Sequence, residues 1–274
     1  MIRRLALIGA VLLLAVAWIG WLGAIRDPVI TRQRVDLAGL SRPLRIVHLS
    51  DIHGSAWDMP AERIARIVAQ ANALKPDLVV ITGDFSPSKL WDPPMPLDAV
   101  LRPLTRLQAP LGVWSVPGNH DDPASFRRAM RRQGLNLLAG DLVDAGPVQI
   151  IGIDDMILGR NQLRGLASAA ARSDPARPVI ALAHEPDYFR RLPARVGLLL
   201  AGHTHGGQIR VAGHPRLLPQ YERWRRGLYR NAAGQQLLVS AGLGTTFVPL
   251  RIGVPPEIVL IDLQPPGRNS GTER

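Results

Sequence analysis

Leu44-Arg45-Ile46-Val47-His48-Leu49-Ser50-Asp51-Ile52-His53 is the stretch on which the fold turns. Its first six residues, with Leu44, Ile46, Val47 and Leu49, read as a strand, and after Ser50 comes an Asp-x-His pair. The same order, apolar run then polar residues, recurs along the chain. Leu78–Thr82 leads into Gly83-Asp84, and residues 112–116 lead into Gly118-Asn119-His120-Asp121. Residues 178–183 end at His184, and residues 196–200 precede Gly202-His203-Thr204-His205-Gly206. Between these runs lie helical patterns. Residues 60–74 place Ile64, Ile67, Val68, Ala71 and Leu74 on one face behind Pro60, which suits a first helical turn. Residues 123–133 start with Asp122 as N-cap and Pro123 in the first position. A weaker helix is expected at 161–172, and further strands near 135–138, 148–153, 207–211, 236–240 and 257–262. Residues 86–98, rich in Pro, Ser and Asp, read as a loop. The alternation predicts one α/β domain over residues 44–264, helices outside the sheets, followed by a polar tail at 265–274.

Side chains at the carboxyl ends of parallel strands converge on one edge of a sheet, so the pattern brings five distant segments together. Their carboxylates, imidazoles and one amide are a mixed oxygen and nitrogen donor set suited to Mn, Fe or Zn. Asp51/His53 and His203/His205 each skip one residue, which puts both members on the same side of an extended backbone. One zinc ion takes three or four protein ligands, whereas these segments offer seven good candidates. That number fits two divalent ions sharing a carboxylate, with Asp84 as the bridge. Two ions roughly 3.5–4 Å apart hold a hydroxide and clamp a phosphoryl oxygen.

The ordered run Asp-x-His, Gly-Asp, Gly-Asn-His-Asp, His, Gly-His-x-His over residues 44–262 resembles the calcineurin-like metallophosphoesterase superfamily. The resemblance implies a four-layer α/β/β/α sandwich of two packed mixed β-sheets flanked by helices. It also implies one metal on Asp51, His53, Asp84 and His205, and a second on Asp84, Asn119, His184 and His203. His120 would serve as general acid over the phosphoryl group, with Asp121 orienting it. Ala183-His184-Glu185-Pro186-Asp187, Gly202-His203-Thr204-His205-Gly206-Gly207-Gln208, Pro249-Leu250-Arg251 and Pro255-Pro256-Glu257 resemble the membrane-associated YkuE/YaeI-like branch. That likeness implies a phosphodiesterase or phosphohydrolase and, in some members, hydrolysis of UDP-2,3-diacylglucosamine in lipid A synthesis. Arg251 is expected to bind a substrate phosphate or to shape the pocket.

Met1-Ile2-Arg3-Arg4 precedes an uncharged apolar run from Leu5 to Ile25, long enough to span a bilayer core of ~20 residues. Trp18 and Trp21 stand near its far end, where rings favour the interface. Ala15-Val16-Ala17 offers a signal-peptidase alternative, but the apolar run continues through Trp18-Ile19-Gly20-Trp21-Leu22, which favours a retained single-pass anchor in a bacterial cell membrane. Arginines on both flanks leave the orientation open. Residues 26–43 read as a linker or an edge strand.

Apolar residues make up 46% and charged residues 20% of the 274-residue chain, the balance of a globular protein. The absence of cysteine excludes disulfides and thiolate metal sites. The net charge of +11 comes almost entirely from arginine, Lys75 and Lys89 being the only lysines. No nucleic-acid-binding module accompanies that charge, and no His-x-His-x-Asp-His segment supports a metallo-β-lactamase fold. The arginine- and aromatic-rich residues 220–230 read either as a membrane-surface segment or as a solvated loop. His48, inside the first strand, and His214, in a loop, read as structural and solvated; Asp154 and Asp155 read as caps or pocket wall. The expected partners are a phosphoester substrate, with room for an amphiphilic one, and the membrane; no obligate protein partner is implied. A membrane-anchored metal-binding scaffold or sensor is the alternative from another class.

Overall fold

The computed structural model describes residues 1–89, 95–154, 162–211, 214–215 and 223–266. Asp155, residues 220–222 of the basic stretch and residues 267–274 of the tail lie outside them. Helix α1 (Ile2–Ile25) is followed by strand β1 (Val29–Asp36), so residues 26–43 contain an edge strand. There follow β2 (Leu44–Leu49), α2 (Ala61–Ala73), β3 (Leu78–Thr82), α3 (Leu97–Leu104), β4 (Val113–Val116), α4 (Pro123–Gln133) and β5 (Asn136–Leu137). The chain continues through β6 (Leu142–Ala145), β7 (Val148–Gly152), α5 (Gln162–Ala171), β8 (Val179–Leu182) and β9 (Val196–Ala201). The small pair β10 (Arg210–Val211) and β11 (His214–Pro215), then β12 (Gly227–Arg230), β13 (Gln236–Val239) and β14 (Glu257–Gln264), complete the described elements.

Two mixed sheets result, in the orders β1-β14-β2-β3-β4-β5 and β12-β13-β9-β8-β7-β6. β2, β3, β4 and β5 run parallel, as do β7, β8, β9 and β13, while β14 runs antiparallel to β2. Period-two alternation sorts each strand's side chains into different layers. Leu44 and Ile46 of β2, Leu78 and Val80 of β3, Ile180 and Leu182 of β8, and Leu198 and Leu200 of β9 fill the core between the sheets. On the outer side of the first sheet, Val47, Leu49, Val79 and Ile81 pack with Ile64, Ile67 and Val68 of α2, Leu101 of α3 and Phe126 of α4. On the outer side of the second, Val179, Ala181 and Leu199 pack with Leu166, Ala169 and Ala170 of α5 and with Tyr188 and Phe189. This is an α/β/β/α sandwich with an apolar helix at its N-terminus.

α4 is capped as its sequence predicts: the Asp122 side chain accepts the Ser125 N–H at 2.9 Å, and Gly134 closes the helix at φ 67°. α3 was hidden by the prolines around it, since Pro96 sits at its N-cap and Pro103 inside it. The strand expected at 207–211 shrinks to Arg210–Val211, because His205–Gly207 close a tight 3₁₀ turn first. Gly227–Arg230, part of the stretch read as a membrane-surface segment or a solvated loop, forms edge strand β12 paired antiparallel to β13.

α1 is the only described helix long and apolar enough to cross a membrane, and it is a candidate anchor. Its last turn is docked on the domain. Gly20 and Ala24 are buried; the Arg251 N–H donates to the Gly20 carbonyl at 2.8 Å. A Cβ at Gly23 would collide with the Arg251 carbonyl, so glycine is required for this approach. The Arg26 carbonyl accepts from Arg63 Nη2 at 2.7 Å.

Candidate metal centre

The carboxyl ends of β2, β3, β4, β8 and β9 meet at one end of the sandwich and bring all five segments to one place. Asp51, His53, Asp84 and His205 form one group whose ligand atoms lie within 4.8 Å of one another; Asp84, His184 and His203 form a second. Asp84 belongs to both. Its Oδ2 stands 3.3 Å from His53 Nε2 and 3.2 Å from His184 Nε2, and its Oδ1 accepts the His120 N–H at 3.0 Å. Asp51 Oδ1 lies 3.4 Å from His205 Nε2, and both its oxygens accept the His203 N–H.

The backbone reason for these pairs is not the extended chain that the one-residue spacing suggests. Asp51, His53, Asp84, His203 and His205 all have positive φ, between 43° and 70°. Left-handed turns after β2, β3 and β9 swing these side chains inward. Glycines allow the close approach: a Cβ at Gly118 would overlap the Asp84 carboxylate, and one at Gly202 would overlap Ser50 Oγ and Asp51.

Hydrogen bonds behind the histidines decide which nitrogen faces inward. His184 Nδ1 lies 2.7 Å from the Thr82 carbonyl, and His53 Nδ1 lies 3.1 Å from the Ser86 carbonyl and 2.9 Å from Ser88 Oγ. A carbonyl can only accept, so each Nδ1 carries the proton and each Nε2 presents a lone pair. Those lone pairs point at a carboxylate oxygen and at another imidazole nitrogen: His53 Nε2 is 3.1 Å from His205 Nε2, and His184 Nε2 is 3.0 Å from His203 Nδ1. Converging lone pairs repel one another unless a proton or a cation lies between them. The Asn119 amide oxygen is also buried without a hydrogen-bond partner, and a cation would satisfy it. The donor set therefore fits divalent ions.

The electrostatics agree. Burial pushes His53 and His203 down to about 3, and holds His205 well below its ordinary range, so these rings are neutral, as ligands must be. Burial also opposes charge on His184, but Asp84 and Asp51 outweigh it and hold the imidazole well above its usual value. The site demands positive charge at that point. Burial raises Asp51 to about 6, whereas Asp84, despite burial, is kept well below the carboxylate range by His184 and His53.

Asp121 stands elsewhere than expected, and the burial of Arg251 favours the second of its two expected roles. Asp121 does not hold the His120 ring; its carboxylate accepts the backbone N–H groups of Phe85 (3.1 Å), Ser86 (2.9 Å) and Gly118 (3.0 Å). It ties the Asp84 loop to the Asn119 loop. Arg251 is 2% exposed and donates to the carbonyls of Gly244 (Nε, 2.9 Å) and Ala241 (Nη2, 2.8 Å), with Nη2 3.4 Å from His205 Nδ1. A direct contact with a substrate phosphate is at odds with that burial; the guanidinium braces the wall behind His205. His120 is half-buried, its ring centroid 5.4 Å from that of His53. Ser88, Thr82 and Lys89, whose Nζ donates to the His53 carbonyl at 3.3 Å, are supports that sequence spacing did not reveal, because they act through long-range loop contacts. His48, as expected, is structural: fully buried, with Nε2 2.8 Å from Thr82 Oγ1.

Comparison with known proteins agrees with this geometry. Residues 44–207 match the calcineurin-like phosphoesterase family. The chain is 32% identical over 232 residues to the metallophosphoesterase YkuE of Bacillus subtilis, covering 80% of this chain and 79% of that protein. A metallophosphoesterase of Helicobacter pylori strain J99 is 29% identical over 263 residues, covering 92% of this chain and 68% of the other. A bovine transmembrane protein with a metallophosphoesterase domain is 30% identical over 273 residues, covering 90% of this chain but 59% of its own length. The chain belongs to the calcineurin-like phosphoesterases and is a metal-dependent phosphoesterase.

Proposed function

We propose that the protein hydrolyses phosphodiesters or phosphomonoesters with two divalent ions, one held by Asp51, His53, Asp84 and His205, the other by Asp84, Asn119, His184 and His203. The observation that carries this reading is the pair of ligand clusters sharing Asp84. When bound, the ions supply an activated water and offset charge on the phosphoryl oxygens. The chain's own residues do the rest. Asp84 holds the two clusters together, and the His120 N–H fixes its Oδ1. His120, half-buried at the mouth, gives a proton to the leaving oxygen. Asp121 keeps the two loops in register, and Arg251 shapes the wall behind His205. Mixed carboxylate and imidazole donors accept Mn, Fe or Zn. α1 favours action at a bacterial cell membrane, where an amphiphilic phosphoester such as UDP-2,3-diacylglucosamine is a candidate substrate.

The test is hydrolysis of bis-p-nitrophenyl phosphate with Mn by the full chain, beside Asp84→Ala and with metal content measured in both. Metal-dependent turnover that disappears in Asp84→Ala, together with loss of bound ions, supports the reading. Two bound ions with no turnover on this probe or on the lipid nucleotide would favour a metal-dependent sensor.

A further inference from the structure

We infer that the end of the sandwich carrying the metal ligands rests on the surface of the bilayer that α1 enters, with Trp57 and Phe247 seated among the lipid headgroups. The inference rests on α1 being inserted in the membrane and is independent of the hydrolytic reading.

Strand directions carry it first. β14 is antiparallel to β2 and parallel to β1. Val29, where β1 begins, therefore lies at the same end of the sandwich as Leu49, where β2 ends two residues before Asp51. The chain leaves α1 at the metal-ligand end, not at the opposite one. The docked last turn holds that end close to the helix: Gly20 and Gly23 lie against Leu250 and Arg251, and Arg26 is tied to Arg63.

Exposed apolar side chains follow the same polarity. Outside α1, the large apolar side chains exposed among the described residues are Ile30, Trp57, Leu228 and Phe247. Trp57 lies in the loop after β2, and Phe247 in the loop between β13 and β14. Ile30 is the second residue of β1, and Leu228 pairs with Leu238, one residue short of the end of β13. All four are at the metal-ligand end. Trp57 and Phe247 are about half exposed, 48% and 49%, and flank one buried link, Thr245 Oγ1 to Asp58 Oδ2. Phe247 also has φ 59°, a conformation that costs a bulky residue energy. The fold thus holds an aromatic ring outward against its backbone preference. Tryptophan favours the headgroup zone, a phenylalanine beside it suits the acyl boundary, and the exposed Arg26 at the same end suits lipid phosphates. Phe247 adjoins Thr246, whose Oγ1 accepts from Ser88, which in turn contacts His53 Nδ1. The membrane rim and the metal site are thus two residues apart.

The chain has no cysteine, so single nitroxides can be placed on Trp57→Cys, Phe247→Cys, Leu13→Cys in α1 and Ala233→Cys. Ala233 lies in the turn before β13, at the opposite end. The full-length variants are reconstituted in phosphatidylcholine–phosphatidylglycerol nanodiscs. Accessibility to oxygen is then compared with accessibility to a water-soluble nickel chelate. The expected result is an oxygen-to-nickel ratio at positions 57 and 247 severalfold above that at 233, on the side of the Leu13 reference. A lipid signature at 13 with water-like values at 57 and 247 overturns the rim contact while leaving the anchor intact. Water-like values at 13 as well overturn both. If a label at 57 or 247 changes the metal content, exposed Ala56 takes its place.

Discussion

Asp51, His53, Asp84, His203 and His205 occupy left-handed backbone that glycine would adopt freely. Each such residue costs roughly 1–3 kcal/mol, and the apo site adds converging lone pairs and opposed carboxylates. Bound ions offset both. Dialysis against a chelator is therefore expected to lower the melting temperature, and Mn added back to restore it. At a free concentration of 100 times Kd one site contributes about 2.7 kcal/mol. A melting curve indifferent to chelation would remove the claim that the ligands are strained toward the ions. Gly118→Ala is expected to lose bound metal and about 1–3 kcal/mol of stability by denaturant titration, since its Cβ would overlap Asp84. His120→Ala should keep both ions and lower kcat by roughly 10²–10⁴-fold; loss of metal with it would place His120 among the ligands instead. His48 lies apart from the ions, with burial holding it at about 3. Its folded value lies below the ordinary 6.5, so between about 3 and 6.5 the unfolded chain binds the extra proton and stability falls as pH falls. Urea melts of His48→Gln over this range should show a shallower pH slope than the parent, by up to about 1.4 kcal/mol per pH unit.

At the scale of elements, the ligand loops were legible because chemistry and strand ends coincide. Asp-x-His after β2, Gly-Asp after β3 and Gly-His-x-His after β9 each put a glycine or a polar pair where an apolar run stops. What holds those loops was not legible. Asp121 sits beside His120 in sequence but binds the amides of Phe85 and Ser86, which only the folded arrangement brings near. Arg251 was expected to bind a substrate phosphate or to shape the pocket, from the segment it falls in, Pro249-Leu250-Arg251. Here the segment it belongs to is pinned between α1 and the Ala241–Gly244 loop, and burial turns it inward. Arg251→Ala would leave several buried carbonyls without donors, each unsatisfied group costing about 1–3 kcal/mol. It should unfold at lower denaturant and bind the His205-side ion more weakly. Unchanged stability with a raised KM would restore the substrate role.

At the scale of the molecule, the two-sheet order was not in the periodicity. The continuous apolar runs of β3, β8 and β9 say that both faces are buried, yet they do not say which face meets the second sheet; that partition appears only when Ile46, Val80, Ile180 and Leu198 are found in one core. α1 was readable as a span by length, but its attachment at the metal-ligand end was not, because it depends on β1 pairing with β14 some 230 positions away.

The docked last turn of α1 also bears on how the molecule answers its surroundings. Residues 2–19, ahead of the docked stretch, measure about 27 Å, close to a typical hydrocarbon core of ~30 Å. A freely hinged helix answers a thinner bilayer by tilting. Inserted as proposed, this one would turn the domain docked on its end as it tilted, so acyl-chain length would act as an orienting force on the whole protein, a gauge of bilayer thickness read out as the angle of the metal site to the lipid plane.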